Sequence, residues 1–314
     1  VSIWIVAFAS NLSAYWIVAA NAWMQKPTGF RVVDGRAELA DFSAVIFSDF
    51  ALISVAHTLA GAFLLAGFFV MGVSGYHLLR KNETALFKKS FKIGATFALI
   101  FSLVEVWTGH TSGVHVAKYQ KAKLAAMESL WETQKDPDMY MILIPDEANE
   151  RNRIEWIGIP KIMKWMAYGG NSEASITGLN DFPREERPPV TLTYFSFRAM
   201  VGLGFLFVAL SFLAWWYRHR IETKPFLLKL LLYAIPLPYL ACELGWMVTE
   251  VGRQPWIVYG LKKTSEMVSP VHPQQVLASL IAFILVYSLL GAVDIFLLIR
   301  FARKGPEPAT MNKV

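Results

Sequence analysis

The chain has 314 residues, of which 55% are hydrophobic and 17% are charged, and its mean hydropathy is +0.40. Soluble domains carry about 25% charged residues, so the composition excludes an ordinary soluble protein and indicates several membrane spans. The formal net charge of +6 is concentrated in short loops, as membrane topology requires, and we therefore expect no nucleic-acid partner.

Six apolar stretches are candidates for helices that cross a bilayer. Pro236 and Pro238 stand near the start of the fifth stretch, where they predict a kinked or broken helix packed against protein. We predict an all-α integral membrane protein with six transmembrane helices in a bundle and one large extracytoplasmic loop. The predicted spans cover about residues 1–23, 51–76, 93–108, 195–216, 230–249 and 276–299.

The stretch from 109 to 194 differs from the rest because it is polar and rich in Pro, Gly and charged residues. It is too long for a simple connection. Apolar residues at helical spacing predict an amphipathic helix from Val116 to Gln134, and the prolines that follow predict loop. The chain thus divides into spans one to three (1–108), this external loop (109–194) and spans four to six (195–314).

Basic residues mark one side of the membrane. They are concentrated in loops 77–92 and 217–229 and at the C-terminus, which fall on the same side of a six-span path. The positive-inside rule places these segments in the cytoplasm and the 109–194 loop outside. We expect a multi-pass protein in contact with membrane lipid.

The second span contains one titratable group, His57. No Asp, Glu, Lys or Arg occurs from Ala51 to Tyr76. An unpaired polar group in hydrocarbon costs several kcal/mol, so the imidazole needs a partner. It either hydrogen-bonds a Ser, a Thr or a carbonyl on the next helix, or it binds a ligand.

The fifth span carries a stripe of functional candidates at helical spacing, Glu243, Trp246, Met247 and Glu250. Two carboxylates on one face of a membrane helix are unfavourable unless they are paired, protonated or bound to a cation. Glu250 therefore either pairs with Arg253 at the interface, ligates a metal or haem iron, or relays protons.

The fourth span begins with Arg198 close to Met200. His and Met are a known axial pair of low-spin electron-transfer haem, and an arginine can pair with a haem propionate. The simpler interpretation makes Met200 a packing residue and Arg198 an interfacial anchor.

The predicted external helix carries Lys123 and Glu128, which are five residues apart and so do not form an i,i+4 pair. On spacing alone, a solvated helix face is favoured. The alternative is an acid–base site for a quinol near the outer surface, where released protons leave.

These residues together resemble subunit I of the cytochrome bd quinol oxidase family, which includes the cyanide-insensitive oxidases, over essentially the whole chain. The most specific motif runs from Glu250 to Trp256, Glu-Val-Gly-Arg-Gln-Pro-Trp. The other motifs that carry the resemblance are Ser10–Ala14, Asn21–Gln25, His57, Gln120–Glu128, Trp131–Thr133, Phe197–Met200 and Glu243–Trp246.

The resemblance implies a role for each matched residue. His57 and Met200 match the axial ligands of a low-spin haem b, and Arg198 matches the arginine beside that haem. Glu250 matches the ligand of a high-spin haem b, and Trp246 matches an aromatic residue near the haems. The oxygen site of such proteins holds haem d or a third haem b.

Further implied roles concern the external segment. Lys123 and Glu128 match residues of the quinol-binding loop, called the Q-loop, and the 109–194 segment resembles the short version of that loop. Arg253 belongs to the most specific motif, and we count it with the cofactor-binding residues.

The implied function is that of the haem-binding subunit of a terminal quinol:oxygen oxidoreductase in a bacterial plasma membrane. Ubiquinol or menaquinol would be oxidised at the outer face, and electrons would pass through the low-spin haem towards the oxygen-reducing haems. The implied partners are oxidase subunit II and a small single-span subunit.

The match departs from the family at the N-terminus. Family members have nine spans, and this chain begins at what resembles the fourth. We therefore expect three spans to be missing, and with them the histidine that ligates haem d and the acidic residues that deliver protons. No residue of this chain takes those roles.

Two other functions stay open on the residues alone. Carboxylates within spans (Glu105, Glu243 and Glu250) and the proline-broken fifth span are also typical of a transporter or ion channel, although no inverted repeat is visible. The third candidate is a membrane cytochrome b that oxidises quinol and never reacts with oxygen.

Overall fold

The computed structural model describes residues 1–169 and 175–306. Residues 170–174 of the predicted external loop and residues 307–314 at the predicted cytoplasmic C-terminus lie outside the described residues. Within the described ranges, six helices are long and apolar enough to cross a membrane, which confirms the predicted all-α membrane fold. They are Ser2–Gln25, Asp49–Leu79, Thr84–Tyr119, Arg184–Trp216, Pro225–Val251 and Pro273–Lys304.

The α-helices include these spans and several shorter elements. They are α1 (Ser2–Gln25), α2 (Phe42–Ile46), α3 (Asp49–Leu79), α4 (Thr84–Tyr119), α5 (Lys121–Glu128), α6 (Ile162–Tyr168), α7 (Val190–Trp216), α8 (Pro225–Tyr233), α9 (Leu237–Val251) and α10 (Pro273–Lys304).

The second span starts where local chemistry favours a helix end. The hydroxyl of Ser48 accepts a hydrogen bond from the Ala51 amide at 3.1 Å and so satisfies a free N–H of the first turn. Asp49 in that turn places a negative charge at the positive end of the helix dipole. Helix α3 therefore begins just before the charge-free stretch that starts at Ala51.

The fifth span is broken, as its prolines predict. Helix α8 ends at Tyr233 and α9 begins at Leu237, and Pro236 occupies the turn between them. Proline has no N–H to donate to the preceding turn, so the hydrogen-bond ladder stops there. The break divides the fifth span into two separate helices, α8 and α9.

The external segment is more ordered than the predicted loop. Strands β3 (Met139–Asp146) and β4 (Arg151–Ile159) pair antiparallel, with Ile142 opposite Trp156. Two further hairpins pair β1 (Phe30–Val33) with β2 (Arg36–Leu39), and β5 (Trp256–Val258) with β6 (Lys262–Lys263). Pro145 had favoured loop, but it stands where the β3–β4 register shifts, a position that tolerates a residue without an N–H.

The predicted amphipathic helix from Val116 to Gln134 is two elements. Helix α4 continues to Tyr119, the backbone turns at Gln120 (φ −133°), and α5 then ends at Glu128. The side-chain amide of Gln120 donates to the carbonyl of Gln25 at 2.8 Å. This buried contact with the end of α1 fixes the turn, and it brings α5 into the protein rather than onto its surface.

The core lies between α3, α4, α7 and α8. A side chain at Gly67 would lie 2.9 Å from Ala98, so the glycine allows α3 and α4 to approach closely. Phe68, Phe91 and Phe207 are fully buried around this contact. The core therefore fixes α3 and α7, which carry His57 and Met200, against α4.

Helix α10 lies at the edge of the bundle. None of its described residues is buried, and its C-terminal end is held by His77 of α3, whose Nε2 lies 2.7 Å from the Ala302 carbonyl oxygen. Its apolar surface is therefore available to lipid or to other membrane helices.

Candidate functional site

His57 projects from α3 towards α4, where Thr108 supplies a hydrogen-bond partner. Its Nδ1 lies 3.0 Å from Thr108 Oγ1. The single hydroxyl proton of Thr108 is directed at the Val104 carbonyl at 2.9 Å, so the hydroxyl accepts and His57 Nδ1–H donates. Within the described residues Nε2 makes no hydrogen bond, and its lone pair is therefore free to bind iron.

A carboxyl group also contacts the His57 ring. Glu105, one turn before Thr108 on α4, has Oε1 at 3.2 Å from His57 Nδ1. His57 can thus hydrogen-bond a Thr of the next helix and also bind a ligand, because the two roles use different nitrogens of the ring.

Met200 of α7 faces a glycine of α9. A Cβ at Gly245 would lie 3.2 Å from Met200 Sδ, so the thioether sits where α9 has no side chain. One turn earlier on α9, Cys242 faces Gly61 of α3, whose ideal Cβ lies 3.8 Å from Cys242 Sγ.

These contacts relate the two candidate axial ligands. Gly61 lies one helical turn from His57, and Cys242 lies one turn from Gly245, so each pair shares a helix face. His57 and Met200 therefore border the same stretch of α9 and do not lie on opposite flanks of the bundle.

Arg198 joins the start of α7 to α5. Its Nη2 donates to Glu128 Oε2 at 2.5 Å, and the guanidinium carbon lies 5.4 Å from the centre of the Tyr194 ring. Arg198 Nε is buried and makes no hydrogen bond to any described residue. A guanidinium with one donor unused can hold a second acidic group, such as a propionate.

Glu128 is buried, with only 8% of its surface exposed. Burial raises the pKa of Glu128 to about 7, against the opposing effect of the Arg198 charge. The carboxyl can therefore exchange a proton near neutral pH, which is the range in which a general base is effective.

Lys123 is buried on another side of α5. Its Nζ donates to Gln25 Oε1 at 3.4 Å and to the Thr249 carbonyl at 3.3 Å, and only 4% of the residue is exposed. Burial lowers the pKa of Lys123 to about 7; nearby Arg253 lowers it further and Glu250 opposes the shift. The favoured expectation of a solvated face for Lys123 and Glu128 is therefore wrong, because α5 is packed between the ends of three other helices.

Glu250 lies at the end of α9 with a partner for each oxygen. Asn21 of α1 donates to Oε1 at 2.5 Å, and Arg253 Nη2 donates to Oε2. The interfacial pair with Arg253, one of the sequence alternatives, is thus present. Each carboxylate oxygen has a second lone pair, so the pair leaves capacity for a metal ligand bond.

The predicted site residues fall into three groups. His57 and Met200 border α9 in the membrane, Arg198 pairs with Glu128, and Lys123 lies beneath the Glu250–Arg253 pair. Trp246 belongs to α9 and is 36% exposed. Together the groups join α1, α3, α4, α5, α7 and α9.

Several polar partners of the site were missed at the level of sequence. Thr108 had no assigned role, and Asn21, Gln25 and Gln120 were named only as members of motifs that carry the family resemblance. The available signal was the placement of uncharged polar side chains in apolar helices, where such groups need partners. Which partner each would find depends on contacts between distant segments.

The donors present fit haem iron. Haem iron is commonly held by an imidazole with a free Nε2 or by a thioether, and a carboxylate can also bind a metal ion. Arg198 retains an unused donor. Six membrane spans that carry these groups define a class of protein, the membrane-embedded haem oxidoreductases.

Comparison with known proteins identifies the family. Residues 1–306 match the family model of cytochrome bd terminal oxidase subunit I, and the chain belongs to this family. It is 37% identical to cytochrome bd ubiquinol oxidase subunit 1 of Bacillus subtilis over 97% of this chain and 68% of that protein. It is 30% identical to cytochrome bd-II ubiquinol oxidase subunit 1 of Escherichia coli over 97% of this chain and 72% of that protein.

A solved structure shares the fold. The bd oxidase of Geobacillus thermodenitrificans superimposes with a TM-score of 0.85 at 31% identity, over 96% of this chain and 69% of that chain. The predicted enzyme class, a quinol oxidase of the cytochrome bd type, is confirmed, and with it a haem-dependent respiratory role in a bacterial membrane. The transporter and channel alternatives are set aside.

Proposed function

We propose that this chain is the subunit that oxidises quinol at the outer membrane face and holds the haems that receive its electrons. His57 and Met200 would hold a low-spin haem b, and Glu250 would hold a high-spin haem b. The oxygen site would take haem d or a third haem b. When bound, these groups would supply the electron transfer from quinol to oxygen.

The observation that carries this proposal is the ion pair between Arg198 and Glu128. Glu128 belongs to the proposed quinol site, and Arg198 lies two residues before Met200 on α7. The pair supports a quinol site close to the residues that would hold the low-spin haem, because it joins Glu128 to the helix that carries Met200. Electron donor and acceptor sites must be close for rapid transfer, and this contact supports such proximity.

The protein handles the protons with buried groups on α5. Glu128 accepts a proton from the quinol hydroxyl, since its pKa of about 7 leaves a large carboxylate fraction at neutral pH. Lys123, with a pKa of about 7, donates a hydrogen bond to a quinol oxygen in its charged form. Leu179 of the Q-loop packs against Ala125 and Ala126 of α5, and both groups are buried from bulk water.

The Glu250 group binds cofactor rather than quinol in this proposal. Arg253 and Asn21 orient the Glu250 carboxylate, and such outer hydrogen bonds fix the direction of a metal ligand. Lys123 and Arg253 place two positive charges near one carboxylate, which favours anionic groups in this region. Trp246 would lie beside the cofactors.

The proposal also covers partners and orientation. The apolar surfaces of α1 and α10 are exposed along most of their length, and we assign them to lipid, oxidase subunit II and a small single-span subunit. The Q-loop is extracytoplasmic and the C-terminus is cytoplasmic. The quinol is ubiquinol or menaquinol.

Two substitutions in the assembled oxidase test the proposal. His57→Ala should abolish the low-spin b signal in the reduced-minus-oxidised spectrum. Lys123→Met should keep that signal but lower quinol oxidation by about 10²-fold or more, the effect of losing a positioned acid–base group. Lys121→Met, which removes an exposed lysine of the same helix, is the matched control and should change neither reading.

Two outcomes contradict the proposal. A low-spin signal that survives in His57→Ala removes this histidine as a ligand. Unchanged quinol oxidation in Lys123→Met would show that the quinol site does not lie at α5.

A further inference from the structure

We propose that Glu105, together with Thr108, is a positioning residue that holds the His57 ring and lowers the reduction potential of the haem bound to it. The inference rests on the proposed ligand role of His57. None of the motifs that carry the family resemblance includes Glu105 or Thr108, so the role arises from the contacts of this chain.

The first step is the tautomer of His57. Thr108 Oγ1 has one proton, which it directs at the Val104 carbonyl at 2.9 Å, so it can only accept from the ring at 3.0 Å. Glu105 Oε1, at 3.2 Å from the same nitrogen, is a second acceptor. Two acceptors at Nδ1 hold the proton there, and the lone pair is then on Nε2, where iron binds.

The second step concerns the position of Glu105. A carboxyl group within a membrane span is unfavourable unless it has a partner, and Glu105 Oε2 is buried without a hydrogen bond to any described residue. Through its other oxygen Glu105 faces the His57 ring, and the Cys242 thiol lies near the same carboxyl group. A side chain at Gly61 would lie 3.5 Å from Oε1, so the glycine leaves room for the carboxyl beside the ring.

The third step is the effect on the iron. A histidine ligand that donates its second N–H to a carboxyl group is more basic and is fixed in orientation. A more basic ligand donates more electron density and stabilises ferric over ferrous iron. Removing an acceptor, as in Thr108→Val, or weakening one by replacing the carboxyl group with an amide, as in Glu105→Gln, should therefore favour the reduced state and raise the midpoint potential.

The test is a potentiometric titration of the low-spin b signal in the assembled oxidase. Glu105→Gln and Thr108→Val should each retain the low-spin spectrum and shift its midpoint to more positive potential. Two matched controls remove the same groups elsewhere and should leave the midpoint unchanged. They are Thr111→Val, whose hydroxyl donates to the Trp107 carbonyl of its own helix, and Asp294→Asn, which removes an exposed carboxylate of α10.

The outcomes separate this inference from the proposed function. If the low-spin signal disappears in His57→Ala but keeps its wild-type midpoint in both Glu105→Gln and Thr108→Val, His57 remains a ligand and the positioning role is overturned. If the signal persists in His57→Ala, the proposed function fails and the inference fails with it. Thr108→Val keeps the side-chain shape, so it decides the matter if Glu105→Gln does not assemble.

Discussion

Glu128 and Arg198 are 70 positions apart in the chain and meet in a buried pair. Removing one partner of a buried pair leaves the other charge uncompensated, which typically costs about 3–5 kcal/mol. Here the pair connects α5 with α7, so the same contact that orients the proposed quinol base also holds the external helix on the membrane bundle.

The stability of the protein should depend on pH through Glu128. Because burial raises its pKa from 4.5 to about 7, the folded protein keeps this proton over a range in which the unfolded chain has lost it. The stabilisation is fully present below pH 4.5 and is lost as the pH rises through 7. It amounts to about 3 kcal/mol at about 1.4 kcal/mol per pKa unit.

Glu128→Gln should remove this part of the pH dependence. Thermal unfolding of the purified oxidase at pH 5 and at pH 8 should show a Tm difference that is smaller in the variant than in the wild type by several degrees. Glu132→Gln, at an exposed glutamate four residues further along the chain, should keep the wild-type difference. An equal pH response in all three proteins would mean that Glu128 does not titrate in this range.

At the scale of the elements, the six spans follow from the sequence because each is a local property. Charge-free length, a Ser48 cap and the Pro236 break are all determined within a few residues. The β3–β4 hairpin was missed because its alternation is weak and Pro145 argued against a strand. The division of the predicted external helix at Gln120 was missed because it depends on Gln25, 95 positions earlier.

The candidate site could likewise be predicted only where it depends on local sequence. The residue types of His57, Met200 and Glu250 could be selected from sequence, since charged or ligating groups are rare in spans. The burial of Lys123 and Glu128 could not, because spacing along one helix does not reveal what covers it. Pairs such as Arg198 with Glu128 form only after α5 and α7 pack together.

An alanine at Gly245 of α9 should disturb the proposed haem site more than an alanine at a glycine of α7. A Cβ there would lie 3.2 Å from Met200 Sδ, whereas nothing lies within 4 Å of a Cβ at Gly204. Gly245→Ala should displace the thioether and weaken the low-spin b signal, with overpacking of about 1–3 kcal/mol offsetting the helix gain. Gly204→Ala should raise stability by up to about 1 kcal/mol and leave the spectrum unchanged.

The reduced spectrum and the thermal unfolding midpoint are both measured on each of the two variants. A normal low-spin spectrum in Gly245→Ala would show that Met200 has free space beside α9. That result would weaken the assignment of Met200 as a ligand held by close packing.

On the scale of the whole molecule, ion pairs define two ends of the bundle. Lys88 pairs with Glu222, which joins the basic loops 77–92 and 217–229. At the other end, Arg184 pairs with Glu150 at 2.6 Å and Lys263 pairs with Glu186 at 2.9 Å. The basic loops therefore share one end, and the external segment shares the other with the loop that follows α9.

Cysteine labelling should show which end faces the cytoplasm. Since loops rich in Lys and Arg stay inside, Lys81→Cys should react with a membrane-impermeant maleimide only after cells are permeabilised. Glu185→Cys should react on intact spheroplasts. Both positions are exposed, and Cys242 is the only native cysteine, so the unsubstituted chain reports the background from within the membrane. The reverse pattern would place the Lys123 and Glu128 site on the cytoplasmic side, and quinol protons would then be released inside the cell rather than outside it.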